Sequence, residues 1–178
     1  MQRCPGHLAV TTIAAVLAAL LATSCALDAD VDGRVGVPVT TRLVVDKSEH
    51  RMRAYRGDTM LREFTIALGR GGLAPKTQQG DGRVPEGEYS IDTRNAHSAF
   101  HLSLRIDYPS PQQVRTSALR GVDPGGDIMI HGLPNGLTSI GKSHRRVDWT
   151  DGCIAVTNAE IEWLWHSVPD GTPILIRP

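Results

Sequence analysis

Residues 136–153, GLTSIGKSHRRVDWTDGC, decide between two unrelated folds. The first eight residues match the P-loop pattern G-x-x-x-x-G-K-[ST], which indicates a nucleotide-binding α/β fold. The last four residues, TDGC, end on Cys153, and His131 lies 22 residues before it. A histidine close to a cysteine can accept the thiol proton, so this second half is typical of a thiol enzyme.

The surroundings of the P-loop match exclude a nucleotide-binding loop. Such a loop needs a strand that runs into it and a helix that begins at its lysine. Residues 133–136 (LPNG) form a turn instead, and the residues after Lys142 and Ser143 lack apolar residues at helical spacing. The chain also lacks the alternating β-α-β order of a doubly wound sheet. We therefore expect no nucleotide partner and interpret residues 136–143 as a surface loop.

The composition is that of a globular protein with many turns. Hydrophobic residues make up 40% and charged residues 21% of the 178 residues. The formal net charge is zero, so no basic surplus indicates a nucleic acid as partner. Eighteen glycines and eleven prolines favour short strands over a helix bundle.

The N-terminus is predicted to be an export signal. Residues 8–21 form an uncharged run rich in Ala and Leu, preceded by Arg3. This run is shorter than the ~20 residues that a transmembrane helix needs. It is typical of a secretory signal peptide, which we assign to residues 1–24. The protein is therefore expected in the periplasm or cell envelope.

The signal ends in a sequence that resembles a bacterial lipobox, LATSCA at residues 21–26. We expect lipidation at Cys25 and attachment to a membrane through this lipid, with ordinary cleavage near Ala26 as the alternative. Residues 25–40 lack apolar periodicity and are interpreted as a flexible tether. The folded domain is expected to span residues 41–178.

Cys153 is the cysteine that needs an explanation. The other two are Cys4, in the signal, and Cys25, in the tether, so the domain offers Cys153 no disulfide partner. An unpaired thiol in an exported protein is open to oxidation, so its presence calls for a reason. A catalytic thiol is one explanation, and a buried inert cysteine is the other.

The domain is predicted to be mainly β, of the α+β class. Apolar alternation and turn residues predict strands at 42–46, 51–55, 60–68, 88–92, 99–108, 127–131, 153–156 and 173–177. Two helices are predicted, one at 111–119 and one after the capping box TNAE at 157–160. The Gly-rich segment 69–87 is long for a loop, and long loops are often functional.

His131 and Cys153 are predicted to meet at one end of the sheet. His131 ends one strand and Cys153 begins another, and the loop between them can bring both to the same edge. Gly152 allows a close backbone approach before the cysteine. The N–H groups of Gly152 and Cys153 can then point at a developing oxyanion.

The residues around this pair resemble the L,D-transpeptidase catalytic domain family. The family pattern is a histidine followed by a small residue, a loop, then [S/T]-H-G-C, with an asparagine five residues after the cysteine. The corresponding residues are His131-Gly132, TDGC at 150–153, and Asn158. The resemblance extends over residues 41–178 and includes the segments GDGRVPEGEYSI at 80–91 and PGGDIMIHGLPNG at 124–136.

The resemblance implies a β-sandwich with a cradle around the active site, and an exported enzyme without a cofactor. Cys153 would be the nucleophile, His131 the general base, and the Gly132 carbonyl the group that orients the imidazole. The Gly152 and Cys153 amides would form the oxyanion hole. The substrate would be a peptidoglycan stem peptide, cut at the L,D bond between meso-diaminopimelate and D-alanine. An amine then takes the acyl group, which gives a 3→3 crosslink or attaches a lipoprotein.

Two departures from the family pattern leave the direction of the reaction open. The motif histidine is replaced by Asp151, and the arginine usual two residues after the cysteine by Ala155. Asp151 is expected to tune Cys153 by disfavouring its thiolate. This branch, with TDGC in place of SHGC, includes proteins similar to amidases that release wall-bound lipoprotein. A hydrolase is therefore one alternative, and a non-catalytic wall-binding lipoprotein is another.

Four more residues are predicted to contribute to substrate binding. Arg145 and Arg146 are candidates to bind the carboxylates of the stem peptide. His144 is a candidate to replace the missing motif histidine, and Trp149 to line the cleft. His131, His144 and Cys153 match no zinc signature, so we expect no metal.

Overall fold

The computed structural model describes residues Gly36–Pro178. The predicted signal peptide, the lipidation at Cys25 and most of the tether lie outside the described residues. Thr40, which we assigned to the tether, is buried, and its N–H donates to the Ser167 carbonyl at 2.6 Å. Packing of the folded domain therefore already includes Thr40.

The domain is built on one curled sheet of eight strands, with the order β3-β2-β1-β8-β4-β5-β6-β7. The elements are β1 Arg42–Asp46, β2 Arg51–Arg56, β3 Thr59–Thr65, β4 Gly87–Ser98, β5 His101–Ile106, α1 Pro111–Leu119, β6 Met129–His131, β7 Ile154–Ala155, α2 Asn158–Ser167 and β8 Pro173–Arg177. The predicted mainly β class with short helices is confirmed.

The first three strands, all of them predicted, form an antiparallel meander, and the last strand pairs with β1. β8 pairs in parallel with β1, with Leu43 opposite Ile174. Alternate residues of β1 and β2 face the core, because successive side chains of a strand point to opposite faces. Leu43, Val45, Met52 and Ala54 are all fully buried.

β6 and β7 pair in parallel and bring the two halves of the motif together. Ile130 lies opposite Ile154, and His131 lies opposite Ala155. Ala155 also exchanges two backbone hydrogen bonds with Ala67, of 3.0 and 2.9 Å, just beyond β3. The two edges of the curled sheet therefore meet at the motif.

The capping box predicted for α2 is present. The Glu160 carboxylate accepts a hydrogen bond from the Thr157 N–H at 2.9 Å and fixes the start of the helix. Ile161 and Leu164 lie on its buried face. Within residues 36–178, no helix is both long enough and apolar enough to cross a membrane.

The sequence analysis was wrong about three local features. β3 ends at Thr65 rather than at residue 68. β4 continues to Ser98, well beyond residue 92. Its second half is mostly exposed and pairs with β5 in an irregular register, so it carries no alternating apolar pattern that would predict a strand. The segment interpreted as a surface loop contains 3-10 turns, Thr138–Arg146, interrupted at Gly141.

Candidate active site

Burial keeps the His131 imidazole neutral, and the neighbouring residue Gly132 fixes its tautomer. The ring is 3% exposed, and Nδ1 lies 2.7 Å from the Gly132 carbonyl oxygen. Because that carbonyl can only accept, Nδ1 carries the proton and Nε2 is left with a free lone pair. Burial lowers the pKa of His131, although the bond to Gly132 acts in the opposite direction. At neutral pH the imidazole can therefore accept a proton at Nε2.

Gly132 is required by the turn that follows His131. A Cβ at this position would lie 2.8 Å from Asn158 Oδ1 and 2.9 Å from the Phe100 carbonyl oxygen. Asn158 Oδ1 accepts a hydrogen bond from the Leu133 N–H at 2.8 Å. The asparagine of the motif thus fixes the backbone beside the imidazole.

Two aromatic rings pack against the His131 imidazole. Phe100 packs against the imidazole with 4.4 Å between ring centroids, and Trp149 meets it edge-on at 5.6 Å. The sequence analysis expected Trp149 to line the substrate cleft. The structure places it against His131, and Phe100 was not identified from sequence because nothing local distinguishes it from a core residue.

The TDGC turn is organised by Thr150. Its Oγ1 donates to the Cys153 carbonyl at 2.7 Å and accepts from the Gly152 N–H at 3.2 Å. The Thr150 backbone is bound on both sides by the segment after β3, through the Leu68 carbonyl at 3.1 Å and the Arg70 N–H at 2.9 Å. The turn is therefore fixed by backbone hydrogen bonds.

Position 152 requires glycine for two reasons, its positive φ angle and the lack of space for a Cβ. Its φ is +124°, and a Cβ would lie 2.7 Å from the Arg83 carbonyl oxygen. The sequence analysis assigned its amide to the oxyanion hole. In the structure this N–H is directed at Thr150 instead, so the expected donor is already engaged.

Cys153 is half-buried, and its thiol contacts the Asp127 backbone. Sγ lies 3.6 Å from the Asp127 carbonyl oxygen. Within residues 36–178, no hydrogen bond joins Cys153 to His131. Rotation about the Cα–Cβ bond of Cys153 is the freedom that moves Sγ, because the turn fixes the backbone.

The surroundings of Cys153 favour the protonated thiol. Burial raises the pKa of Cys153, and the charges of Asp151 and Asp127 raise it further. A backbone hydrogen bond from Met129 and the charge of Lys76 lower it and only partly compensate. The thiol therefore needs a base that takes its proton before it can act as a nucleophile.

Cys153 opens into a cavity of about 530 Å³ whose walls carry charges of both signs. Arg70 and Lys76 supply the positive charges, and Asp127 and Asp151 the negative ones. Arg70 forms an ion pair with Asp151, and both side chains are largely exposed. The cavity is thus suited to a substrate that bears both an anionic and a cationic group.

Three residues that were predicted to bind substrate do not line the Cys153 cavity. Arg145 is bound to both oxygens of Glu160 at 2.5 and 2.6 Å, so its guanidinium is engaged within the fold. Arg146 lines a separate depression beside Asp148. His144 is buried in an apolar cavity beyond Trp149. The cause is the set of 3-10 turns, which packs the end of this segment against α2.

No metal site is found among residues 36–178. No three His, Cys, Asp or Glu side chains lie close enough there to hold an ion.

We predict that Gly152→Ala destabilises the fold more than Gly171→Ala does. Both positions have positive φ, but a Cβ at Gly171 meets nothing within 4 Å. The control should therefore cost only the conformational strain, about 1–2 kcal/mol. Gly152→Ala adds a clash with backbone, so its free energy of unfolding in a urea titration should fall further. Equal losses for the two variants would contradict the close packing at Arg83.

We also predict that Asp151→Asn shifts the pH profile of Cys153 alkylation to lower pH. The rate follows the thiolate fraction, and the Asp151 charge raises the pKa of the thiol. Rates with iodoacetamide between pH 6 and 10 measure the shift. Asp58→Asn, at an exposed turn, serves as the matched control and should leave the profile in place. An unchanged midpoint in Asp151→Asn would refute this electrostatic effect.

The comparisons with known proteins agree with this architecture. The family model of the L,D-transpeptidase catalytic domain (YkuD) matches residues 40–176. The chain is 27% identical over 147 residues to YqjB of Bacillus subtilis (strain 168), which is named for the same family. That match covers 81% of this chain and 75% of YqjB.

Two solved structures share the fold. The helical cell shape determining protein Pgp2 from Campylobacter jejuni superposes with a TM-score of 0.58 at 21% identity, over 78% of this chain and 47% of that one. The L,D-transpeptidase from Xylanimonas cellulosilytica DSM 15894 gives a TM-score of 0.52 at 18% identity, over 79% and 61%. The chain thus spans about half the length of Pgp2. Because the family model covers nearly all of the folded domain, the chain belongs to the L,D-transpeptidase catalytic domain (YkuD) family.

Proposed function

We propose that the protein is an exported cysteine acyltransferase, a peptidoglycan L,D-transpeptidase anchored through lipid at Cys25. The observation that supports this most is His131. Its Nδ1 proton is committed to the Gly132 carbonyl, so Nε2 is free to act as base. His131 lies on β6, which pairs with β7 directly after Cys153. Membership of the family supplies the reaction class.

The first half of the proposed reaction forms a thioester. His131 Nε2 takes the thiol proton as Sγ attacks the carbonyl carbon between meso-diaminopimelate and D-alanine. The Cys153 N–H is the remaining candidate to stabilise the tetrahedral oxyanion, because the Gly152 N–H is engaged. The C–N bond then breaks, and the imidazolium returns its proton to the D-alanine amine.

The second half transfers the acyl group. An amine of a second stem peptide, or of a lipoprotein lysine, attacks the thioester carbonyl and gives its proton to His131. The C–S bond breaks, and an amide and the free thiol result. The same base can instead activate water, which would release the acyl group as a carboxylate.

The mixed charges of the Cys153 cavity suit this substrate. The side chain of meso-diaminopimelate ends in both an amine and a carboxylate. Arg70 is a candidate partner for the carboxylate, and Asp127 and Asp151 for the amine. Asp151 also favours the second candidate function, an amidase that releases wall-bound lipoprotein, because it replaces the histidine of the transpeptidase motif.

We predict that the protein converts purified tetrapeptide muropeptides to crosslinked dimers with loss of D-alanine. Mass spectrometry of the products distinguishes the acceptors, with Cys153→Ala as the inactive control. Sacculi that carry bound lipoprotein are digested in parallel. Tripeptide or freed lipoprotein without dimers would mean that water is the acceptor. No product from either substrate would favour the non-catalytic wall-binding alternative and contradict the proposal.

A further inference from the structure

Gly126 lies in the wall of the Cys153 cavity, one residue before Asp127, whose carbonyl oxygen contacts the thiol. Neither the backbone conformation nor the packing of the fold requires a glycine at this position. Its φ lies outside the left-handed region, whereas that of the neighbouring Gly125 is +74°. A Cβ at Gly126 would meet no atom within 4 Å. The missing side chain therefore leaves space in the cavity and not in the protein interior.

The backbone at Gly126 is also open to a partner. Both Gly126 and Asp127 are exposed. Within residues 36–178, neither the N–H nor the carbonyl of Gly126 makes a hydrogen bond, and the Asp127 N–H makes none either. On either side the backbone is engaged, since the Gly125 N–H donates to a carboxylate oxygen at 2.7 Å and the Ile128 carbonyl accepts from a backbone N–H at 3.0 Å. The unpaired stretch is thus confined to the cavity wall.

These free backbone groups match the main chain of a peptide. An extended residue can accept from the Gly126 N–H and donate to the Gly126 carbonyl, as in a hydrogen-bonded pair of an antiparallel sheet. Glycine is also the residue that permits the closest approach of a backbone to a ligand. The chemistry of this wall therefore favours a peptide as the occupant.

The distance to the thiol indicates which substrate this peptide belongs to. Sγ of Cys153 must come within about 3–3.5 Å of the carbonyl carbon that it attacks. The Asp127 carbonyl oxygen is 3.6 Å from Sγ, so a residue bound at Gly126 borders the attacked bond. That residue belongs to the acyl donor, because the amine acceptor enters only after the thioester has formed.

We propose that Gly126 is a specificity-determining residue, which leaves room beside Cys153 for the main chain of the acyl donor and pairs with it through its own backbone. The identity of the donor as a stem peptide rests on the proposed function. The site itself rests on the free backbone groups and on the space at Gly126.

The first test narrows the site with side chains of increasing size. Gly126→Val should slow the formation of the acyl-enzyme from a tetrapeptide stem by about a hundredfold, since a substrate displaced by about 1 Å loses that much. Gly126→Ala should lie between the valine variant and the natural protein. Ala96→Val, at an exposed position of β4 outside the cavity, is the matched control and should react at the natural rate. An unchanged rate in Gly126→Val would overturn the proposal.

Two further measurements distinguish this effect from damage to the fold or to the thiol. The urea midpoint of Gly126→Ala should not fall, because the position has space for a Cβ and alanine restricts the unfolded chain. Iodoacetamide is much smaller than a stem peptide, so the alkylation rate of Cys153 should stay close to that of the natural protein. A lower midpoint, or alkylation that slows as much as acylation does, would overturn the proposal.

The last test does not depend on catalysis. In Cys153→Ala protein labelled with nitrogen-15, the amide signal of Gly126 is identified by its loss in Gly126→Ala. The tetrapeptide stem should shift this signal saturably and leave that of Gly171, which lies outside the cavity, in place. Absence of a shift would overturn the inference even if Cys153 is acylated normally. A shift without any acylation of the natural protein would retain the site and refute the proposed reaction.

Discussion

The parallel pairing of β6 with β7 is the constraint on which the site depends. It sets His131 opposite Ala155, and the Val156 N–H donates to the His131 carbonyl at 2.9 Å. Cys153 enters β7 directly from a turn that the segment after β3 holds from the other side. His131 and Cys153 are therefore positioned by backbone pairing, and Gly152 is needed because the backbones at Gly69 and Arg83 lie directly against it.

Burial and the surrounding charges keep the Cys153 thiol protonated in the absence of substrate. Burial and two nearby carboxylates raise the pKa of Cys153, while burial keeps His131 neutral. In the proposed mechanism, the proton therefore passes from Cys153 to His131 only when substrate is bound. Since thiolates are the oxidation-prone form, a protonated thiol also reacts slowly with oxidants, which suits the exported location proposed for the chain.

Local signals explain what the sequence could predict. Turn residues and alternation located β1, β2 and β8, and the capping box located α2. The proximity of the strands that carry His131 and Cys153 followed from their strand-end positions. The sequence was least informative where tertiary contacts determine the position of a residue. The Arg145 guanidinium binds the Glu160 carboxylate, and His144 is buried by the 3-10 turns. In the sequence both residues lie in a segment that was interpreted as a loop available to substrate. The engaged amide of Gly152 depends on one threonine rotamer that no spacing encodes.

The central claim is that Cys153 carries the acyl group, and an intact-mass measurement of the protein mixed rapidly with a tetrapeptide stem tests it most directly. The account predicts a covalent adduct equal in mass to the stem without its D-alanine. The adduct should map to the Cys153 peptide, be released by hydroxylamine as expected of a thioester, and be absent in Cys153→Ala. An adduct on another residue, or product formed by the Cys153→Ala protein, would contradict the account.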